Sequence, residues 1–249
     1  MRDRQSAVPQ SELIDRSIRR LRQLTHTTLV DRLGLTETPI PREFACAEGN
    51  IGASAVTMHT RRYRGAQLAP LTVAVLEVDA RLCSLTVIGL PPPGSRLPVL
   101  GLDLIALRGS LSLLAIDLSP TDPEFFTSSC AAILKMTELL AAPAIVPRKR
   151  PAFAETSFSS GAIIAGARAG QEETVFHAVE YFLEQTGALL QGYAPADFLP
   201  DAAERRIRWL AAERQNRKEH NALAHMFGAP FAAQYLDQFL FGSPEQGLA

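Results

Sequence analysis

Cysteine is scarce in this chain: three in 249 residues, Cys46, Cys83 and Cys130, odd in number, far apart, with no C-x-x-C pair and no histidine at metal-ligand spacing. This excludes a disulfide framework and predicts reduced thiols. Excess charge is absent too. A formal net charge of -1 writes no global attraction to nucleic acid or an anionic membrane into the chain, so any basic patch must be local. No apolar run of about 18 residues or more is seen in the sequence, and "MRDRQSAVPQSEL" has charges and a proline where a signal peptide needs an apolar core. The expectation is a soluble, cytoplasmic protein that engages neither membrane nor nucleic acid.

The usual chemical motifs are missing as well. There is no G-x-G-x-x-G after a strand, no G-x-x-x-x-G-K-[ST], no G-x-S-x-G elbow and no H-E-x-x-H. Phosphate-cradling loops, a serine-hydrolase elbow and a zincin site are thereby excluded, and no metal is expected. His220 and His225 stand five apart, off a shared helical face, and read as structural or surface residues.

What is present is a change of texture along the chain. Residues 11–33 place Leu13, Ile14, Ile18, Leu21 and Leu24 on one helical face, with Ser11 as N-cap and Gly34 as stop. Short β-branched runs follow from about residue 42 to 120, namely "GASAVTMHTRRY", "PLTVAVLEV", "RLCSLTVIGL", "VLGLDLIAL" and "LSLLAIDLS". Short turns between them predict an antiparallel meander, and "LPPPGSRLP" is too rich in proline for a central strand. Helical periodicity returns in "PEFFTSSCAAILKMTELLAA". It is followed by the loop "PAIVPRKRPAFAE", a last strand within "SFSSGAIIAGARAG", and helices over "EETVFHAVEYFLEQTGALLQ", "DAAERRIRWLAAERQNRKEHNALAHMF" and "PFAAQYLDQFLF". The fold class expected is α+β, a three-layer sandwich with a central antiparallel sheet, in a single domain over residues 1–249.

Two features invite chemistry. Asp103 sits inside an apolar strand pattern, where a carboxylate is either at a solvated edge or held in a site that uses its proton. The basic residues Arg148, Lys149 and Arg150 in one loop, and Arg214, Arg217 and Lys218 beside Asn216, are either a solvated surface or a carboxylate-binding rim.

"LPVLGLDLIALRGSLSLLAIDLSPT" followed by "ERQNRKEHNALAHMFGAPFAAQYLDQFLF" resembles the ferredoxin-dependent bilin reductases. The first stretch matches the strand pattern L-P-x-F/L-G-x-D-x then A-x-A/I-D-L-S-P. The second matches Q-x-N-x-K-x-x-x-x-L-x-x-x-F-G-x-x-x-A-x-x-Y-x-x-x-x-L-F. The resemblance covers most of the chain from about residue 60. It implies an α/β/α sandwich holding a linear tetrapyrrole between sheet and C-terminal helices, with no bound redox cofactor and reduced ferredoxin as donor of single electrons. It also implies that Asp103 is the catalytic proton donor, that Ser112 and Arg148 bind propionates, and that Asn216 and Lys218 stand at the pocket edge. The chain departs from the pattern at Ala74, where many members have a glutamate, at Thr86, where phycocyanobilin synthases have a histidine, and at Arg217, where several have a second aspartate. Thr86 and Arg217 remain as pocket-lining, substrate-binding candidates. Glu77 could replace the lost glutamate only if its strand were bulged. The expectation is a two-electron reduction of biliverdin IXα or a related bilin by a monomer that docks ferredoxin on a basic rim. The alternatives are a non-catalytic tetrapyrrole binder or a reductase of a chlorophyll catabolite.

Overall fold

The computed structural model describes residues 10–79, 81–194 and 198–242. Helix α1 (Gln10–Thr25) runs into a π-helical turn (His26–Asp31) and the chain breaks where Gly34 takes φ +60°, a conformation that glycine adopts without strain. With Gln10 already helical, Ser11 is an interior residue rather than the expected cap. The side chains of residues 10–15, Leu13 and Ile14 among them, lie outside the described part; Ile18 and Leu21 are buried, with Leu24 against them.

Then come β1 (Thr36–Glu37), α2 (Arg42–Ala45), β2 (Cys46–Ile51) and β3 (Ser54–Arg64), followed by β4 (Leu71–Val78), β5 (Leu82–Gly89), β6 (Val99–Leu107) and β7 (Ser110–Ser119). Each strand alternates buried and less buried residues because successive side chains point to opposite faces. Next are α3 (Pro123–Phe125), a π-helical turn (Phe126–Cys130), α4 (Ala131–Ala141), β8 (Ile145–Pro147), β9 (Ile163–Ala167) and α5 (Glu172–Gln191). The chain closes with α6 (Pro200–Glu213), α7 (Arg217–Phe227), α8 (Ala229–Ala233) and a π-helical turn (Gln234–Leu240).

All nine strands join one antiparallel sheet in the order β1-β3-β4-β5-β6-β7-β9-β8, with β2 also on β3. One face carries a dry core in which Leu85, Val87, Leu102, Leu104, Leu114 and Ile116 meet Leu21, Leu134, Val179 and Phe182 from α1, α4 and α5. The other face packs Val56, Met58, Leu76, Ile88 and Val99 against Trp209, Leu223, Tyr235 and Leu240 from the C-terminal elements. Gly49 lets α7 lie directly on β2, since a side chain there would run into the Met226 carbonyl.

Two further expectations need correction. The helix expected over 201–227 is two helices: it breaks at 214–216 because Asn216 caps α7, accepting the Glu219 amide on its side-chain oxygen. The loop at 143–155 contains β8, three residues long and too short to carry an alternation signal. Among the described residues one helical segment, Pro123–Ala144, is long and apolar enough by length and composition to cross a membrane, although Glu124, Lys135 and Glu138 interrupt it. In the fold Ile133, Leu134 and Ala141 of this segment belong to the dry core.

Leu104 is fully buried and Leu107 is 43% exposed on the same strand. Leu104→Ala is expected to lower stability by about 2–5 kcal/mol in urea unfolding, whereas Leu107→Ala should change it by no more than about 0.5 kcal/mol.

Candidate active site

Strand register assembles the site. Thr60 of β3 pairs with Ala74 of β4, Ala74 with Thr86 of β5, Thr86 with Asp103 of β6, and Asp103 with Ala115 of β7. Residues paired in this way share a face, so Thr60, Ala74, Thr86 and Asp103 form a row across the sheet, on the face covered by α6 and α7. The β3, β4 and β5 pairings run without a shift, and Glu77 is therefore exposed on the opposite side, unable to replace the glutamate absent at Ala74.

Asp103 is half-buried in a strand flanked by β5 and β7, so it stands at no sheet edge. Thr86 donates its hydroxyl hydrogen to Asp103 Oδ1 at 2.9 Å. Burial pushes the Asp103 carboxyl up to about 6 and the Thr86 hydrogen bond restrains it, with no cation acting on it among the described residues. Such a group can carry a proton near neutral pH.

Three further polar groups enter from the helical layer, and none was singled out from the sequence. Glu219 is the third residue of α7, half-buried; Asn216 Nδ2 donates to its Oε2 at 3.2 Å and Asn216 Oδ1 accepts from its amide at 3.4 Å. Burial and the neighbouring Asp103 charge push its carboxyl up to about 7, against the lowering effect of Asn216. Glu213, the last residue of α6, is buried with Oε1 lacking a hydrogen-bond partner; burial and the charges of Glu219, Asp103 and Asp117 hold its carboxyl well above the usual range. Tyr235 is buried, its hydroxyl 3.0 Å from Thr60 Oγ1 at the far end of the row, and burial pushes it up to about 12.

Beside these lies a satisfied buried carboxyl. Asp117 accepts from the Ser119 hydroxyl, from the Ser159 amide at 3.0 Å and from the Ser159 hydroxyl at 2.5 Å, while Trp209 Nε1 donates to Ser119 at 3.0 Å. The cluster ties β7 to the 159 loop and to α6, fixing the roof over the row. Phe44 packs edge-on or tilted against Phe231, Tyr235 and Phe239 with centroids 4.9–5.8 Å apart, giving the layer an aromatic wall.

The structure brings several expected binding residues together. Ser112 is the extra residue where the β6/β7 register shifts between Ile105 and Ala106, and its hydroxyl donates to the Ile105 carbonyl at 2.9 Å. Arg148 is exposed, and its guanidinium lies against Gly166; a Cβ there would stand 3.2 Å from Arg148 Nη2 and 3.3 Å from the Ser112 carbonyl oxygen. The Ser112 backbone carbonyl and the Arg148 guanidinium thus both border Gly166, and Ser112 lies three residues along β7, roughly 10 Å, from the position opposite Asp103. Asn216 caps α7, and Arg217 and Lys218 are the exposed first residues of that helix, apart from the Ser112–Arg148 pair.

The architecture is a central antiparallel sheet with a raised carboxyl on the face turned toward a helical layer. The family model described as ferredoxin-dependent bilin reductase matches residues 22–242, and the chain belongs to that family. It is 24% identical over 220 residues to the phycocyanobilin:ferredoxin oxidoreductase of Trichodesmium erythraeum, covering 85% of this chain and 87% of that protein. It is 26% identical over 188 residues to that of Prochlorococcus marinus, covering 73% of each. Its fold is similar to that of phytochromobilin synthase from tomato, solved in complex with biliverdin, with TM-score 0.73, 14% identity, and coverage of 94% of this chain and 83% of that one.

The raised carboxyl has a measurable sign. Asp103 binds its proton more tightly folded, about 6, than its ordinary 3.8, so stability falls as pH rises between these values. At about 1.4 kcal/mol per unit, the charged form costs the folded state up to about 3 kcal/mol at alkaline pH. Asp103→Asn is therefore expected to be more stable than the parent by about 1–3 kcal/mol at pH 8, with the difference vanishing near pH 4, read by urea unfolding at each pH.

Proposed function

We propose that the chain reduces biliverdin IXα or a related linear tetrapyrrole by two electrons, taken one at a time from reduced ferredoxin, with Asp103 supplying protons. The observation that carries this reading is a carboxyl on a central strand, raised to about 6 and facing the layer between sheet and C-terminal helices. Membership of the bilin reductase family supports the same reading.

The chemistry asks for a flat, largely apolar slot with anchors for two carboxylates and a proton at a chosen carbon. Ser112 and Arg148, which share the Gly166 surface, take one propionate; Ser112 must exchange its bond to the Ile105 carbonyl to donate to it. Lys218, Arg217 and Asn216 at the start of α7 serve the pocket edge, and Thr86 holds the Asp103 carboxyl toward the bilin. Exposed Arg214, Arg217 and Lys218 form a basic rim suited to an acidic electron carrier. In balance, the bilin loses one C=C bond and gains two C–H bonds, two ferredoxins are oxidised, and two protons are taken up. No resident redox cofactor is needed for this scheme. The protein is taken to work as a single-domain monomer in the cytoplasm, without membrane or nucleic acid.

The test is an anaerobic absorbance titration with biliverdin, ferredoxin, ferredoxin reductase and NADPH. The expected outcome is a bound spectrum that moves to shorter wavelength, and Asp103→Asn should bind biliverdin with product formation slowed by about 100-fold or more. A bound spectrum that never changes, beside an active control enzyme, would make the protein a tetrapyrrole binder.

A further inference from the structure

Resting on that reading, we propose that Glu219 of α7 is the second proton-delivering carboxyl of this site, placed across the helix–sheet gap from Asp103.

Helix periodicity aims it there. Glu219 lies one turn before Leu223, which is buried with Val56, Met58, Leu76 and Ile88 against the sheet, and residues four apart share a helix face. Arg217, two positions earlier, is exposed on another flank. The Glu219 carboxyl is coupled both to Asp103 and to Tyr235, whose hydroxyl rests on Thr60. Thr60 and Asp103 are the ends of the row, three interstrand steps or roughly 14 Å apart. The Glu219 charge acts on both ends of the row, and between them β4 and β5 offer only the small side chains of Ala74 and Thr86. The acid that β4 lacks at Ala74 is delivered from the helix instead.

Helix capping alone does not account for Glu219. In a capping box the glutamate accepts from the N-cap amide, but the Asn216 amide already donates to the Glu213 carbonyl at 2.9 Å. The bond from Asn216 engages only Oε2, leaving Oε1 for other use. The groups facing Glu219 from other elements are Asp103 on β6, Glu213 on α6 and Tyr235, with Arg62 of β3 acting on Tyr235. Like-charged neighbours and burial keep its proton on near neutral pH.

In the resulting step one electron from ferredoxin and one proton from Asp103 convert the bilin to a neutral radical with one new C–H bond. A second electron from ferredoxin and a proton from Glu219 form the other C–H bond and consume the π bond. Both carboxylates then recover protons from water.

The test compares the parent with Glu219→Gln, whose amide oxygen can still accept from Asn216, in single turnovers of biliverdin with reduced ferredoxin from pH 6 to 9, followed by absorbance and by electron paramagnetic resonance. Expected are unchanged biliverdin binding, an accumulating bilin radical, product formation slowed about 10- to 100-fold, and loss of the component of the alkaline limb near pH 7 while that of Asp103 near 6 stays. Asn216→Ser keeps a good N-cap but removes the bond that lowers the Glu219 carboxyl, so the alkaline limb should move to higher pH. Should Glu219→Gln fold poorly, this second variant decides. A parent-like rate and pH profile in Glu219→Gln, or an unmoved limb in Asn216→Ser, overturns the role of Glu219 while an active parent leaves the reductase reading intact. A parent that leaves biliverdin unreduced overturns both.

Discussion

A carboxyl in the interior of a sheet, held by one hydroxyl hydrogen bond and no cation among the described residues, is the constraint on which the rest of this structure depends. Thr86 and Asp103 sit opposite each other on β5 and β6, and the single bond between them leaves Asp103 under-solvated when charged. Everything around it keeps that condition. The Asp117 cluster ties β7 to α6, Tyr235 closes the far end of the row on Thr60, and the α6 and α7 residues Trp209, Leu210 and Leu223 give the layer an apolar cover that leaves Asp103 half-buried.

The two faces of the sheet divide labour. The face against α1, α4 and α5 is aliphatic and aromatic, a core whose energy comes from burial and which needs no polar partner. The opposite face embeds acidic and hydroxyl groups in an apolar frame, where burial raises the proton affinity of every carboxyl and neighbouring carboxylates raise that of Glu213 and Glu219 further. Arg206 and Glu213, buried on the inward stripe of α6 with atoms lacking hydrogen-bond partners, extend the same condition. Stability is given up there, in a sheet whose other face is an aliphatic and aromatic core.

Legibility in the sequence followed physical signals. β6 and β7 were readable because alternation is strong and the Arg108–Gly109 turn and Pro98 delimit them; the Asp103–Thr86–Ala74 row was not, because it rests on strand registers that only the fold sets. β1 and β8 were not, being two and three residues long. The break between α6 and α7 went unread because no glycine or proline marks it. Its signal was Asn216 followed three residues later by Glu219, a capping pattern that also points to the missed carboxyl. Glu213 and Arg206 were not singled out, yet their spacing from Ala202, Trp209 and Leu210 is that of the buried stripe. Ser112 and Arg148 were found by resemblance; their meeting at Gly166 depends on a bulge that no pattern announces.

The central claim is that this layer stores protons on uncharged carboxyls near neutral pH. Infrared difference spectroscopy of the protein across a pH titration tests it directly, because a protonated carboxyl has a carbonyl stretch that a carboxylate lacks. The account predicts such a band at pH 5, losing intensity as pH rises through about 6 and 7, with the lower component absent in Asp103→Asn. A spectrum in which every carboxyl is ionised above pH 5 would contradict it.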